Sequence, residues 1–371
     1  MAWQKPKYKK SGGMDAVSSG LGAELMALTC LHDDGVKGYG GMRIACIAPM
    51  RQGKTTLALR TLLKFHHITS VPKEKFFTNK ERDIADITQE TIIYRGRKLD
   101  YWNAYNKKHY HKCFPEDKPR ELKVFVWYED DITFYEEAQE ENVMKQISNL
   151  PIYKYHSQKD LYENLVEGGI NVVYVPNEYK LSKLLMHTLN EMRMLAPGDP
   201  GWYNDTDQIS VINETFWYDL FYYMQEIENS RDGTVKDKDK NLEPTRRLKS
   251  VTFFFDESHQ IFPANEPKPF WYLIDDFAEN ALIDSGRMNM TIYANIHALN
   301  LMYWKVLQRF DTFIWLGGSK PDKSYSMVTD KLTRRLRKGA FIIEEKQKRF
   351  GKMDFQRIPE QPYTVLAKGA S

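Results

Sequence analysis

Cysteine is nearly absent. The 371 residues contain three, Cys30, Cys46 and Cys113, an odd and sparse set that builds no disulfide framework. With Cys46 inside an apolar run, it fits a reducing compartment. Long apolar stretches are missing too: none reaches the roughly 18 residues that a spanning helix needs. Lys5, Lys7, Lys9 and Lys10 near the N-terminus have no apolar run behind them, so they do not read as a secretory signal. The chain is therefore expected to be soluble and cytoplasmic. Net charge is also small, with 53 Lys and Arg against 50 Asp and Glu and a formal value of +3. Any contact with nucleic acid must then come from a local patch and not from the overall balance. What is present in quantity is core material. Hydrophobic residues make up 42% and aromatic residues 13%, enough for one large domain or two modest ones.

The most informative stretch runs from Ile44 to Leu59. An apolar β-type run, Ile44 to Ala48, leads into Pro49-Met50-Arg51-Gln52-Gly53-Lys54-Thr55-Thr56, after which Leu57, Leu59, Leu62 and Leu63 follow a helical pattern. Strand, tight turn and helix in this order form a P-loop. Residues 49–56 would cradle a polyphosphate with backbone N–H groups and the positive end of a helix. Gly53 allows close approach, Lys54 reaches the β/γ-phosphates, and the Thr55 hydroxyl ligates Mg²⁺. Ala48 stands where the usual pattern begins with Gly, so the entry to the loop should be less bent there, or strained.

A second element carries complementary chemistry. The apolar run Val251 to Phe255 ends in Asp256-Glu257, as a P-loop ATPase requires, with Asp256 holding Mg²⁺ through its water shell and Glu257 polarising the attacking water.

Elsewhere strand and helix patterns alternate, the signature of an α/β fold with a mainly parallel sheet. Strands are expected at 152–155, 170–175, 290–297 and 312–316, and helices at 160–166, 179–192, 214–228, 270–285 and 299–309. Residues 1–40 read as a basic arm and lead-in, and 41–71 as the first part of the ATPase core. Residues 72–150 read as an insertion, because so long a poorly periodic connection is unusual in a compact domain. The core resumes over 151–357, and 358–371 is a tail. Within the insertion, strand candidates lie at 91–94 and 124–127, and a helix with a solvated acidic face is expected from about Asp131. His109, His111 and Cys113 alternate and would share one face of a strand. Without a C-x-x-C partner they fit a surface loop better than a zinc site. The most basic stretch runs from Lys331 to Arg357. Ten Lys and Arg stand there against Glu344, Glu345 and Asp354, an excess of seven positive charges.

The order of P-loop, strand ending in Asp-Glu, helix, Arg287, strand ending near Asn295-Ile296-His297 and strand-rich close resembles the FtsK/HerA superfamily of RecA-like ATPases. The resemblance covers 41–67 and about 151–357. It implies a RecA-like P-loop core with ATP and Mg²⁺ as cofactors, and a homo-oligomeric, hexameric ring that moves DNA through sequence-independent backbone contacts. Chromosome translocases, conjugative coupling proteins and viral genome-packaging ATPases are members. For a small chain without membrane segments it implies packaging of a viral genome, with a capsid portal or vertex as partner and a place in the host cytoplasm or the virion, or transfer of plasmid DNA. It also implies that Arg287 acts on the neighbouring subunit's nucleotide. Where the family usually ends its sensor strand in Gln, this chain offers Asn295 and His297. The alternatives are an assembly ATPase resembling the zonula occludens toxin family, and a nucleotide-dependent scaffold or switch without processive turnover.

Overall fold

The computed structural model describes residues 42–58, 90–96, 121–138, 144–231, 248, 250–265, 270–286, 288, 290–345, 349–354 and 363–370. In chain order its strands are β1 (Arg43–Ile47), β2 (Glu90–Arg95), β3 (Leu122–Trp127), β4 (Thr133–Ala138), β5 (Met144–Gln146), β6 (Ile152–Tyr155), β7 (Ile170–Val173) and β8 (Tyr179–Lys180). They continue with β9 (Ser210–Val211), β10 (Ser250–Phe255), β11 (Met290–Ile296), β12 (Thr312–Leu316), β13 (Ala340–Glu345), β14 (Arg349–Asp354) and β15 (Tyr363–Lys368).

Ten strands form one sheet in the order β14-β13-β12-β1-β11-β10-β2-β7-β3-β6. All pairings from β12 through to β6 are parallel, and β13 and β14 continue the β12 edge in antiparallel fashion. This is an α/β fold of the RecA-like P-loop type, its first strand set between β11 and β12 with β10 one place further. The inner strands are mainly apolar, as burial on both faces requires, with a few buried polar residues such as Asn171 and Asn295. β11 and β12 have no exposed residue.

The parity of β10 shows how the two faces are filled. Phe253 and Phe255 face the helix Thr215–Arg231, where Phe221 lies 5.7 Å from Phe253 and Trp217 lies 5.2 Å from Phe255 between ring centroids. Phe254 points the other way and packs on Tyr94 at 4.8 Å and Tyr293 at 5.6 Å. Offset and edge-on aromatic contacts of this kind account for much of the aromatic content. The helical run Phe270 to Asp284 contains a π-turn at Phe277–Ala281, which sets Phe277 against Tyr218, Phe221 and Phe262.

Residues 72–150, read as an insertion, enter the central sheet twice. β2 lies between β10 and β7, and β3 between β7 and β6. The helix expected from Asp131 is instead β4, paired with β5 and with β15. Thr133-Phe134-Tyr135 favours extended backbone, and burial of Phe134 against Tyr174, 5.5 Å away, fixes its register. β15 comes from the segment read as a tail. The helix expected from Tyr179 starts at Lys183, where the Ser182 hydroxyl accepts from Leu185 N at 3.1 Å as an N-cap. Residues 109–113, the alternating His and Cys, lie outside the described residues.

One buried carboxylate ties this region together. Asp219 is 1% exposed and accepts hydrogen bonds from Ser182 Oγ at 2.6 Å, Gln158 Nε2 at 2.9 Å and the Tyr179 hydroxyl. Burial raises its pKa to about 6, against the pull of the Ser182 and Tyr179 donors. A carboxyl group whose pKa is raised by folding adds stability below its unfolded pKa, and that stability is lost as pH rises through the folded value. We therefore expect the stability difference between the native protein and Asp219→Ala to shrink as pH rises from about 4 to about 6. At pH 7 the substitution should still cost about 1–3 kcal/mol, because three donors lose their acceptor. Urea unfolding across that pH range measures both, and a difference that grows with pH would contradict the assignment.

Candidate functional site

In an open parallel sheet the carboxyl ends of adjacent strands line one edge, where loops converge. Here β1, β11, β10 and β2 end together, since Ile47 is in register with Ile296, Phe255 with Ala294 and Tyr94 with Phe254. Ala48, His297 and Asp256 lie immediately beyond the ends of β1, β11 and β10, and Arg95 is the last residue of β2.

The turn after β1 has the backbone form of an anion cradle. Ala48 continues the ladder by donating its N–H to Ile296 O at 3.1 Å, so the absence of Gly there introduces no positive φ. The left-handed positions are Arg51, at φ 62°, and Gly53, at φ 94°. The entry at Ala48 is thus the less bent one that Ala in place of Gly implies; the bend falls three residues later, where an arginine adopts a conformation that favours glycine. Helical backbone begins at Lys54, and Leu57 N donates to Gly53 O at 2.9 Å. Pro49, Met50 and Arg51 are exposed, Gln52, Gly53, Thr55 and Thr56 are half-buried, and Lys54 is buried.

Lys54 Nζ donates to Ala48 O at 2.6 Å and Pro49 O at 3.1 Å, and lies 3.0 Å from His297 Nδ1. An ammonium can only donate, so His297 Nδ1 is the acceptor and the ring proton sits on Nε2. That nitrogen is 3.5 Å from Glu257 Oε1. Lys54, His297 and Glu257 thus form a continuous polar line across the site. His259 lies beside His297 with ring centroids 5.4 Å apart, and burial, reinforced by His297, holds its pKa below the ordinary imidazole value.

Asp256, 5% exposed, accepts from Asn295 Nδ2 at 2.9 Å. Asn295 Oδ1 is buried with no hydrogen-bond partner among the described residues. Glu257 has left-handed backbone, φ 54° and ψ 44°, ahead of the short 3₁₀ turn Ser258–Gln260. Burial pushes the Cys46 thiol, one strand away, up to about 12, which leaves it a neutral packing group.

The structure therefore brings Lys54, Asp256, Glu257, Asn295 and His297 together with the turn 49–56. Arg287 lies outside the described residues. Two further features were not read from the sequence. Arg95 closes β2 and bonds to the Asp256-Glu257 turn. Gly317-Gly318, after β12, packs on the phosphate turn: a Cβ on Gly317 would come 3.2 Å from Leu336 O and 3.4 Å from Gln52 Oε1, and one on Gly318 would come 3.5 Å from Pro49 Cγ. Thr333 Oγ1 donates to Ser319 O at 2.6 Å, so the short basic helix Asp330–Arg334 is tied to the loop that touches the phosphate turn. Lys331, Arg334, Arg335, Arg337 and Lys338 are exposed around it. Only an Arg ending an apolar strand and a Gly-Gly pair ending another could have signalled these contacts.

The group fits ATP with Mg²⁺. The turn offers a left-handed bend at Arg51 and Gly53 and one ammonium, that of Lys54. An Asp carboxylate held by an amide, with that amide's oxygen still lacking a donor, suits a metal that keeps most of its waters. Among the described residues no cluster of three or more His, Cys, Asp and Glu could hold a metal by itself, and no helix is long and apolar enough to cross a membrane.

No family model and no curated protein matches the sequence. Among solved structures, the chain is similar to the genome packaging NTPase B204 from Sulfolobus turreted icosahedral virus 2 in complex with AMPPCP. Identity is 10%, the TM-score is 0.41, and the match covers 85% of this chain and 98% of that one. The sulfate complex of the same NTPase matches with 10% identity and a TM-score of 0.40 over 87% and 99% of the two chains. The N-terminal domain of zonular occludens toxin from Neisseria meningitidis matches with 9% identity and a TM-score of 0.29 over 86% and 95%.

Proposed function

We propose that this chain hydrolyses ATP to move DNA, in packaging a viral genome into a capsid or in transferring a plasmid. The observation that carries the reading is the line of Lys54, His297 and Glu257 at the end of three parallel strands, beside Asp256. Phosphate oxygens would replace the loop carbonyls and His297 as acceptors for Lys54. Release of His297 by Lys54 would then report the γ-phosphate to Glu257, which gives His297 the sensing role and leaves Asn295 to orient Asp256. Thr55 and Asp256 would hold Mg²⁺, which supplies charge neutralisation on the phosphates when bound. Glu257 would orient the water, and residues 49–56 would stabilise the charge that develops in the transition state.

A chain of small net charge that grips DNA needs a local basic surface, and the exposed cations of residues 331–338 flank Leu336, which meets Gly317 beside the phosphate turn. Backbone contacts from such a surface bind any sequence. A ring of copies, hexameric in this reading, would place Arg287 of one subunit at the nucleotide of the next. A capsid portal or vertex is the proposed docking partner of that ring.

Three measurements test this. Glu257→Gln should bind ATP normally and lose about 10²–10⁴-fold in turnover, whereas Lys54→Ala should lose both binding and turnover. Near-normal turnover by Glu257→Gln would remove Glu257 from the chemistry. Replacing Arg334, Arg335 and Arg337 together by Gln should flatten the plot of log DNA affinity against log salt by up to about three units of slope. An unchanged slope, read by fluorescence anisotropy, would move the DNA contact elsewhere. Mixtures of Arg287→Ala and Lys54→Ala subunits should recover activity at composite sites. Mixtures no more active than either variant alone would argue against action between subunits.

A further inference from the structure

β2 enters the sheet beside β10, and its last residue, Arg95, lies next to the Asp256-Glu257 turn because Tyr94 is in register with Phe254. Arg95 is 3% exposed. Its guanidinium donates through Nη1 to Asp256 O at 3.0 Å, with Glu257 O at 3.5 Å. Through Nη2 it donates to Glu214 Oε1 at 2.6 Å and Gln260 Oε1 at 2.9 Å. Gln260 Nε2 in turn donates to Glu257 Oε2 at 3.2 Å. One cation thus holds the backbone of the Asp-Glu pair directly and the Glu257 carboxylate through one amide.

The backbone it holds is unusual. Glu257 has φ 54°, a conformation that a residue with a Cβ adopts only when its surroundings impose it. A planar fork of donors suits that task, since it can serve two carbonyls and two side-chain oxygens at fixed angles. A buried Arg-Glu pair is a poor device for stability alone, where apolar side chains of similar volume serve as well.

We propose that Arg95 is a positioning residue for Glu257: it holds the left-handed turn that aims the carboxylate at the reacting water. The inference rests on the hydrolysis reading above. It gives β2 a role in the chemistry although the strand comes from the long segment between the phosphate helix and the rest of the core.

The test compares ATP turnover and nucleotide affinity in the full-length native protein, Arg95→Ala, Arg95→Lys and Glu257→Gln, and in the Arg95→Ala/Glu257→Gln double variant. A misaimed base lowers the rate and spares binding, so Arg95→Ala should lose about 10–100-fold in kcat with KM changed less than about twofold. Arg95→Lys, which offers a point charge in place of a fork, should fall between it and the native protein. If Arg95 acts through Glu257, the double variant should be no slower than Glu257→Gln. Native kcat in Arg95→Ala, a loss confined to KM, or a double variant slower by the product of the two effects would overturn the proposal. Should Arg95→Ala fail to fold, Glu214→Gln keeps Arg95 but weakens what orients it. A severalfold loss of kcat at constant KM would then support the proposal, and native kcat would overturn it. A native protein that binds ATP and does not hydrolyse it would instead overturn the hydrolysis reading, and this inference with it.

Discussion

Parallel strands cannot be joined by tight turns, so each must be reached by a crossover, and successive strands end at the same edge of the sheet. The site in this protein depends on that constraint. β1, β11, β10 and β2 come from parts of the chain far apart in sequence, and they pair in parallel. The residues at or just past their ends, Ala48, His297, Asp256 and Arg95, therefore meet without any loop having to reach for them. Antiparallel pairing at any of these positions would send one group to the far edge of the sheet. The two antiparallel strands, β13 and β14, lie outside the set, beyond β12.

The second constraint is satisfaction of buried polar groups. Lys54, Arg95, Asp256 and Asn295 are each less than a tenth exposed, and an uncompensated charge in such a place would be neutralised or would unfold the site. The solution is mutual: loop carbonyls and His297 accept from Lys54, Asn295 donates to Asp256, and Arg95 spreads its donors over two carbonyls and two side chains. These partners fix geometry as well as charge. They determine the His297 tautomer, the direction of the Asp256 carboxylate and the left-handed backbone of Glu257. Elsewhere Glu344 follows the same rule on β13, accepting from Trp315 Nε1 at 2.9 Å and Met327 N at 2.5 Å. It thereby braces the loop that carries the basic helix toward the phosphate turn.

That bracing has a mechanical consequence. The loop after β12 is in contact with the phosphate turn through Gly317 and Gly318, and with the basic helix through Ser319 and Thr333. A side chain at Gly317 would meet Leu336 O on one side and the end of the Gln52 side chain on the other. A shift of the phosphate turn would reach the basic helix through these side-chain contacts and the Ser319-Thr333 hydrogen bond.

The sequence by itself determined the elements whose signals are local. The run Ile44 to Ala48, the turn ending in Gly53-Lys54-Thr55 and the apolar strand ending in Asp256-Glu257 carry their structure in nearest-neighbour chemistry, and the strands at 170–173, 290–296 and 312–316 are mainly apolar because both faces are covered, while 152–155 is a short, partly exposed strand at the sheet edge. Tertiary structure alone decided what depends on distant partners. β2 and β3 were legible as short strand candidates at 91–94 and 124–127, but their places in the central sheet beside β10, β7 and β6 were decided by pairing with those distant strands. The acidic stretch after Asp131 became β4 because β15, more than 200 residues later, pairs with it and Phe134 is buried, which outweighs the solvated helical face that its charges imply. Between a less bent and a strained entry at Ala48, the ladder bond to Ile296 decided for the less bent one, and left-handed backbone falls at Arg51. Arg95 reads in sequence as the charged end of a short strand; it becomes the support of Glu257 only when parallel register sets it beside β10, and register is a property of the sheet, held in no single segment.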